Sequence, residues 1–189
     1  MTVCMFGGSF DPPHLAHLKI IKDCAINFDI LVIVPTNKSP LKDHFPKANY
    51  NKRFEMINLM ISGVSDNIII DKYEASTDKK TAYTIDTIEH LIKKYNVDKI
   101  SLVLGSDQLK NFRSWKNFDK LITLVDIICF KRPGFPFISM DIRYEKNRNI
   151  NMEFSSSKIR KMINKGNDNI EKFISRSVSG YIIQNELYC

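Results

Sequence analysis

Five short apolar runs, at residues 2–6, 30–35, 68–71, 100–104 and 125–130, alternate with segments of helical periodicity near 15–27, 53–62, 84–95 and 115–122. Runs this short and continuous suit strands buried on both faces, because neither side of the pleat meets water. Alternating strand and helix puts the strands parallel in one sheet, with right-handed crossovers. The expected fold is therefore α/β: a Rossmann-like, doubly wound parallel sheet with helices on both faces. Ligands of such sheets bind beyond the carboxyl ends of the strands. The 189 residues suit a single domain. A further strand-like stretch near 150–154, a helix over about 158–164 and a last amphipathic pattern at 178–187 predict a C-terminal helical appendage over about 155–189.

Lys and Arg number 28 against 21 Asp and Glu, a net charge of +7. That balance points to anionic partners, either nucleic acid or phosphorylated small molecules. No RNA-binding signature and no aromatic–basic stripe accompanies it, so a nucleic-acid partner is not expected. No stretch approaches the ~18 apolar residues of a membrane span. Met1 leads straight into an apolar run with no basic leader, so the expected location is cytoplasmic, with no membrane partner. Cys4, Cys24, Cys129 and Cys189 show no paired zinc-type spacing, and Cys4 and Cys129 read as small core residues. His14 and His17 have no cysteine nearby and His44 and His90 lie in unrelated contexts, so no protein-held metal is expected.

The first apolar run is followed by Gly7-Gly8-Ser9-Phe10-Asp11-Pro12-Pro13-His14-Leu15-Ala16-His17, which leads into the first helical pattern. A strand, a glycine-containing turn and a helix start form a ready phosphate cradle. Glycine lets backbone approach an anion, and helix-terminal N–H groups favour negative charge. Two imidazoles three residues apart add hydrogen-bond donors.

Ser155-Ser156-Ser157-Lys158-Ile159-Arg160 repeats that logic at a second strand-to-helix junction. The serines can cap the helix or offer hydroxyls and N–H groups to phosphate, and Arg160 offers a fork of donors. An ordinary serine cap with a solvated arginine is the plainer reading. Two helix N-termini aimed at one point could hold a triphosphate. Gly105-Ser106-Asp107 follows the fourth apolar run, and the Asp107 carboxylate suits ribose hydroxyls or a helix cap. Trp115 lies in a polar context, where it reads equally as a stacking face or as core. Tyr83 and Thr84 open another helix, whose free N–H groups suit a carboxylate; capping by Thr84 is the alternative. The Gly-Lys-Ser/Thr phosphate loop, the dinucleotide fingerprint and the nucleophile elbow are all absent.

Gly7 to His17 together with Ser155 to Arg160 resembles the nucleotidyltransferase superfamily marked by His-x-Gly-His and Ile-Ser-Ser-Thr-x-Ile-Arg. Three more features resemble its bacterial nicotinate-nucleotide adenylyltransferases: Ala82-Tyr83-Thr84-x-Asp86-Thr87, Gly105-x-Asp107 with Trp115, and Arg132-Pro133-Gly134. The ending Tyr181-Ile182 and Leu187-Tyr188 matches as well. The resemblance implies transfer of AMP from ATP to nicotinate mononucleotide, giving deamido-NAD and pyrophosphate in NAD biosynthesis. It implies that His14, His17 and Arg160 are catalytic. Gly7, Gly8, Ser9, Phe10, Gly105, Asp107, Ser155, Ser156 and Ser157 would bind ATP. Lys42, Tyr83, Thr84, Trp115 and Arg132 would bind the mononucleotide, and Mg²⁺ would arrive on the ATP phosphates.

Three departures stand out: Ala16 replaces glycine, Ser157 replaces threonine, and Leu41 stands where histidine is common, which weakens the assignment of Lys42. The competing readings are phosphopantetheine adenylyltransferase, which lacks the Tyr83 and Trp115 features, and a non-catalytic nucleotide- or RNA-binding module. Intact His14, His17 and Arg160 argue against the latter. Oligomeric state stays open, a homo-oligomer included.

Overall fold

The computed structural model describes residues 1–37, 45–76, 83–147, 155–167 and 169–189. Six parallel strands form one sheet in the order β3-β2-β1-β4-β5-β6. They are β1 (Val3–Gly8), β2 (Ile30–Pro35), β3 (Ile68–Ile70), β4 (Ile100–Gly105), β5 (Val125–Phe130) and β6 (Glu145–Asn147). Strand order reverses between β1 and β4, whose pairing aligns Cys4 with Ser101 and Phe6 with Val103. A crevice opens at that reversal, because the chain leaves β1 and β4 toward opposite sides.

Strand alternation divides the core in two. Cys4, Phe6, Leu31 and Ile33 pack on one face against α1 (Leu15–Asn27), α2 (Tyr50–Ile61), α7 (Ser156–Asn164) and α8 (Arg176–Gln184). Val3, Met5, Val32 and Val34 pack on the other against α4 (Thr84–Tyr95) and α6 (Phe118–Leu124). The doubly wound fold with helices on both faces is thus as expected. The C-terminal helices do more than hang from it: Ile159, Val178, Ile182 and Leu187 belong to the first core. The N–H of Leu15 also bonds to the Phe173 carbonyl at 2.8 Å, so the head of α1 is tied to residues near the other end of the chain.

Several boundaries move. The last helix is Arg176–Gln184 rather than 178–187, because Ser175 caps it by accepting the Val178 N–H. Asn49 likewise starts α2 early by capping Lys52 at 2.9 Å. Trp115 is not the start of a helix. It follows a 3₁₀ turn at Phe112–Ser114 and precedes α6. The stretch 150–154 lies outside the described residues. Strand β6 carries no apolar signal in its Glu-Lys-Asn sequence and is held by parallel pairing to β5. The four-residue helices α3 (Tyr73–Ser76) and α5 (Ser106–Leu109) are too short to leave a periodicity. Cys4 and Cys129 are fully buried, as expected of core thiols.

Candidate active site

The turn after β1 is shaped by Phe10, whose φ of 47° lies in the left-handed region. That conformation costs a non-glycine residue roughly 1–2 kcal/mol. Its ring is 1% exposed, edge-on to Phe6 and to His17. Burying a phenylalanine contributes about 1.5–3 kcal/mol, enough to offset the strain. A Cβ at Gly8 would come within 3.2 Å of the Phe10 ring, which would have to give by a few tenths of an ångström. The Phe10 side chain is therefore a wedge beneath the turn.

His14 is the N-cap of α1. Its Nδ1 accepts the His17 N–H at 3.4 Å, while the His14 N–H donates to His17 Nδ1 at 3.1 Å. The two rings stack with centroids 3.6 Å apart. Because both Nδ1 atoms accept, each neutral ring carries its proton on Nε2, which becomes the donor. Burial and the Arg132 guanidinium push the His14 pKa down to about 3. Burial, His14 and Arg132 hold His17 well below the ordinary histidine range. Both rings are neutral donors at physiological pH.

At the head of α7 each serine has a separate task. Ser155 caps the helix by accepting the Lys158 N–H, and Ser156 donates to the Pro12 carbonyl at 2.9 Å. Ser157 accepts from Arg160 at 3.1 Å. Only the Ser156 hydroxyl holds the helix against the first turn; those of Ser155 and Ser157 bond within the helix itself. The N–H groups of Ser156 and Ser157 have no carbonyl to reach within the helix and suit an anion, as does the Ser157 O–H, which only accepts in its bond with Arg160. Arg160 also donates to the Asp11 carbonyl at 2.6 Å, with the Asp11 carboxylate 3.5 Å away.

Beyond β4, a Cβ on Gly105 would strike Asp107 Oδ1 at 2.4 Å and approach Arg132 Cδ at 3.2 Å. Asp107 pairs with Arg132 at 2.8 Å. Ser106 ties the two loops together, accepting the Arg132 N–H and donating to the Phe135 carbonyl. The head of α4 has Tyr83 at its N-cap and no side-chain cap, so capping by Thr84 does not occur. Lys116 lies beside it, its ammonium 4.3 Å from the Tyr83 ring centre and 3.7 Å from Asp86. Trp115 stands edge-on to Phe112.

All the described residues expected at the site line one cleft of about 650 Å³, from Gly7 to Arg160 and including Tyr83, Thr84, Trp115 and Arg132. Lys42 lies outside the described residues. The volume is ordinary for a small-molecule site. Asp107 Oδ1 and Trp115 Nε1 are buried without a hydrogen-bond partner among the described residues, a state that usually calls for a ligand or water. Among the described residues no group of three or more His, Cys, Asp or Glu could hold a metal ion. No described helix is long and apolar enough to cross a membrane.

Four contributors have no role in the motif reading, although Asp11 and Tyr188 lie within the motif segments themselves. Arg53 is 1% exposed and donates to the carbonyls of Ala48 at 3.1 Å and Ser9 at 2.7 Å. Its one signal is position, since it opens the buried stripe Arg53, Met56, Ile57, Met60. Asp11 and Tyr188 meet at 2.8 Å. Glu74 is buried in the cleft wall and accepts from Thr87 at 3.1 Å. Burial pushes its pKa up to about 7.

A family model described as cytidylyltransferase-like matches residues 5–162. The chain is 32% identical over 201 aligned residues to a protein of Chlorobium phaeobacteroides, covering the whole of both. It is 34% identical over 165 residues to one of Campylobacter fetus, covering 85% of this chain and 86% of that one. Both carry the name "Probable nicotinate-nucleotide adenylyltransferase". Among solved structures, a Plasmodium falciparum nicotinic acid mononucleotide adenylyltransferase complexed with NaAD superposes with a TM-score of 0.83 at 23% identity. That match covers 99% of this chain and 97% of the other. At such identity the likeness is one of fold.

Proposed function

The chain belongs to the cytidylyltransferase-like family and, within it, to the nicotinate-nucleotide adenylyltransferases, and we propose that its cleft moves AMP from ATP to nicotinate mononucleotide. The products are deamido-NAD and pyrophosphate. A phosphate oxygen of the mononucleotide attacks the α-phosphorus of ATP. The new P–O bond forms as the bond to the β-phosphate oxygen breaks, and pyrophosphate leaves. That nucleophile is already ionised, so no enzyme nucleophile or strong base is required. Catalysis then rests on in-line positioning and on stabilising charge.

Each residue's role follows the family pattern and is supported by its place in the cleft. The Nε2–H groups of His14 and His17, the N–H groups at the head of α7 and the Arg160 guanidinium converge as donors for the triphosphate. Neutral imidazoles suit this task, because they donate without losing a proton. Gly105 and Asp107 receive the adenosine, and Trp115 offers its face to the pyridine ring. The uncapped head of α4, with Tyr83, Thr84 and Lys116, meets the nicotinate carboxylate. Mg²⁺ belongs to the substrate, carried on ATP phosphate oxygens where it offsets their charge.

The observation that carries this reading is the sharing of one cleft by two helix heads with histidine and arginine donors and a third, uncapped head beside Trp115. The test is pyrophosphate release from Mg²⁺-ATP with nicotinate mononucleotide, nicotinamide mononucleotide or phosphopantetheine. Release is expected with the nicotinate acceptor above the others. Release only with phosphopantetheine, or with no acceptor, overturns the proposal.

A further inference from the structure

We propose that Tyr188 is a positioning residue for the triphosphate clamp, acting through the Asp11 carboxylate on Arg160. This rests on the reading of Arg160 as an ATP-phosphate ligand. Asp11 sits in the turn after β1, is 3% exposed, and is the junction of four segments. Its Oδ1 accepts the Ala48 N–H at 3.0 Å and the Tyr188 hydroxyl at 2.8 Å. Its Oδ2 accepts the Lys47 N–H at 2.8 Å and faces Arg160 at 3.5 Å.

A carboxylate accepts only, with about four lone-pair sites on two oxygens. Here Tyr188 and Ala48 fill one oxygen, which turns the other toward the guanidinium. Arg160 is then held by Oδ2, by the Asp11 carbonyl and by Ser157, at the point where the head of α7 meets the first phosphate turn. Burial, together with the Asp11 carboxylate, pushes the Tyr188 hydroxyl far above the usual phenol range, so it stays a donor. Leu187, buried beside it, keeps the segment docked on the core. The chain beyond α8 thereby reaches the ATP end of the cleft without lining it.

The test is Tyr188→Phe in the full-length protein, with KM for each substrate and Tm measured alongside, and again in an Arg160→Ala background. The expected result is a rise of about tenfold in KM for ATP, the scale of one hydrogen bond to a charged group. KM for the mononucleotide should move less than twofold. In the Arg160→Ala background the same substitution should add less than twofold. No change in KM for ATP, an equal rise for both substrates, a lower Tm without the split, or an undiminished effect without Arg160 each overturns the proposal. If Arg160→Ala alone leaves KM for ATP unchanged, the reading of Arg160 fails first and the proposal falls with it. Should the phenylalanine variant not fold, Asp11→Asn must show the same ATP-selective rise.

Discussion

His14 and His17 cap each other: each backbone N–H is paired with the other ring's Nδ1, at 3.1 and 3.4 Å. The pattern usually made by Ser or Thr with Glu or Gln is here made by two imidazoles. Capping consumes the two Nδ1 acceptors and dictates the tautomer. The residues that start the helix are thus the same ones that present Nε2–H donors to the cleft.

The two duties of His17 should separate by substitution. Asparagine can replace the Nδ1 acceptor but not the Nε2 donor, whereas glutamine, the usual partner at this capping position, can keep the cap and still offer an amide N–H. We expect His17→Asn to keep Tm within a few degrees and lower kcat by about 10²–10³, the loss of one such donor. His17→Gln should keep a similar Tm and retain more rate. The check is Tm and kcat for both variants; equal kcat values would show that the Nε2 donor has no role.

Stability should fall in acid from an unusual source. His14 titrates near 3 in the folded chain against an ordinary 6.5, and His17 shifts the same way. Below about pH 6.5 the unfolded state binds protons that the folded state refuses, so stability drops as pH falls toward 3. The slope is about 1.4 kcal/mol per pH unit for each fully shifted histidine. Denaturant titrations between pH 7 and 4 measure it, and His14→Asn should flatten it.

Glu74 has the opposite sign. Its pKa is raised to about 7 from 4.5 by burial, against the pull of Thr87, Asn37 and Arg53, while Asp71 adds to the rise. Its contribution is present below pH 4.5 and lost as pH rises through 7, where the buried carboxylate must ionise. Glu74→Gln keeps an acceptor for Thr87 and removes that charge. It should raise stability at pH 8.5 by on the order of 2–4 kcal/mol and change it little at pH 5. Melting curves at the two pH values check this; an equal shift at both would remove ionisation as the cause.

Trp115 is the one tryptophan in the chain, so its emission reports on the cleft directly. Nicotinate mononucleotide should quench it, and ATP alone should do so less. Base–aromatic stacking is worth roughly 1–3 kcal/mol, so Trp115→Ala should raise KM for the mononucleotide about 5- to 150-fold. Unquenched emission at saturating mononucleotide would place the pyridine ring elsewhere.

Selectivity for nicotinate over nicotinamide has a limit if the head of α4 acts alone. A helix terminus favours an anion by at most ~2 kcal/mol, about thirtyfold. A larger preference requires the Thr84 hydroxyl or the Lys116 ammonium beside Tyr83. We expect Thr84→Ala and Lys116→Met each to reduce the ratio of kcat/KM for the two acceptors, with nicotinamide activity little changed. Ratios that stay at the wild-type value would leave the helix terminus as the sole determinant.

The strand–helix alternation, the glycine turn, the His14 and His17 pair and the serine-capped helix were all legible in the sequence. Each depends on residues within a few positions of one another: an apolar run, a periodicity, a turn or a cap. The same locality explains the misses at Trp115 and β6. A 3₁₀ turn and an edge strand of Glu-Lys-Asn leave no apolar pattern, and β6 exists through its pairing with β5. Tertiary structure decided what the side chains bond to. Ser156 reaches Pro12, Arg53 reaches Ser9, and Tyr188 reaches Asp11 across 177 positions. One serine expected at the phosphates, Ser156, also braces its helix against Pro12, and an acidic turn residue became the junction of four segments. The sequence by itself determined which backbone elements form and which residue types crowd the C-terminal ends of β1 and β4. Only the packed fold decided which donors remain for substrate, because a buried polar group must find its partner in space and the chain order does not say where that partner is.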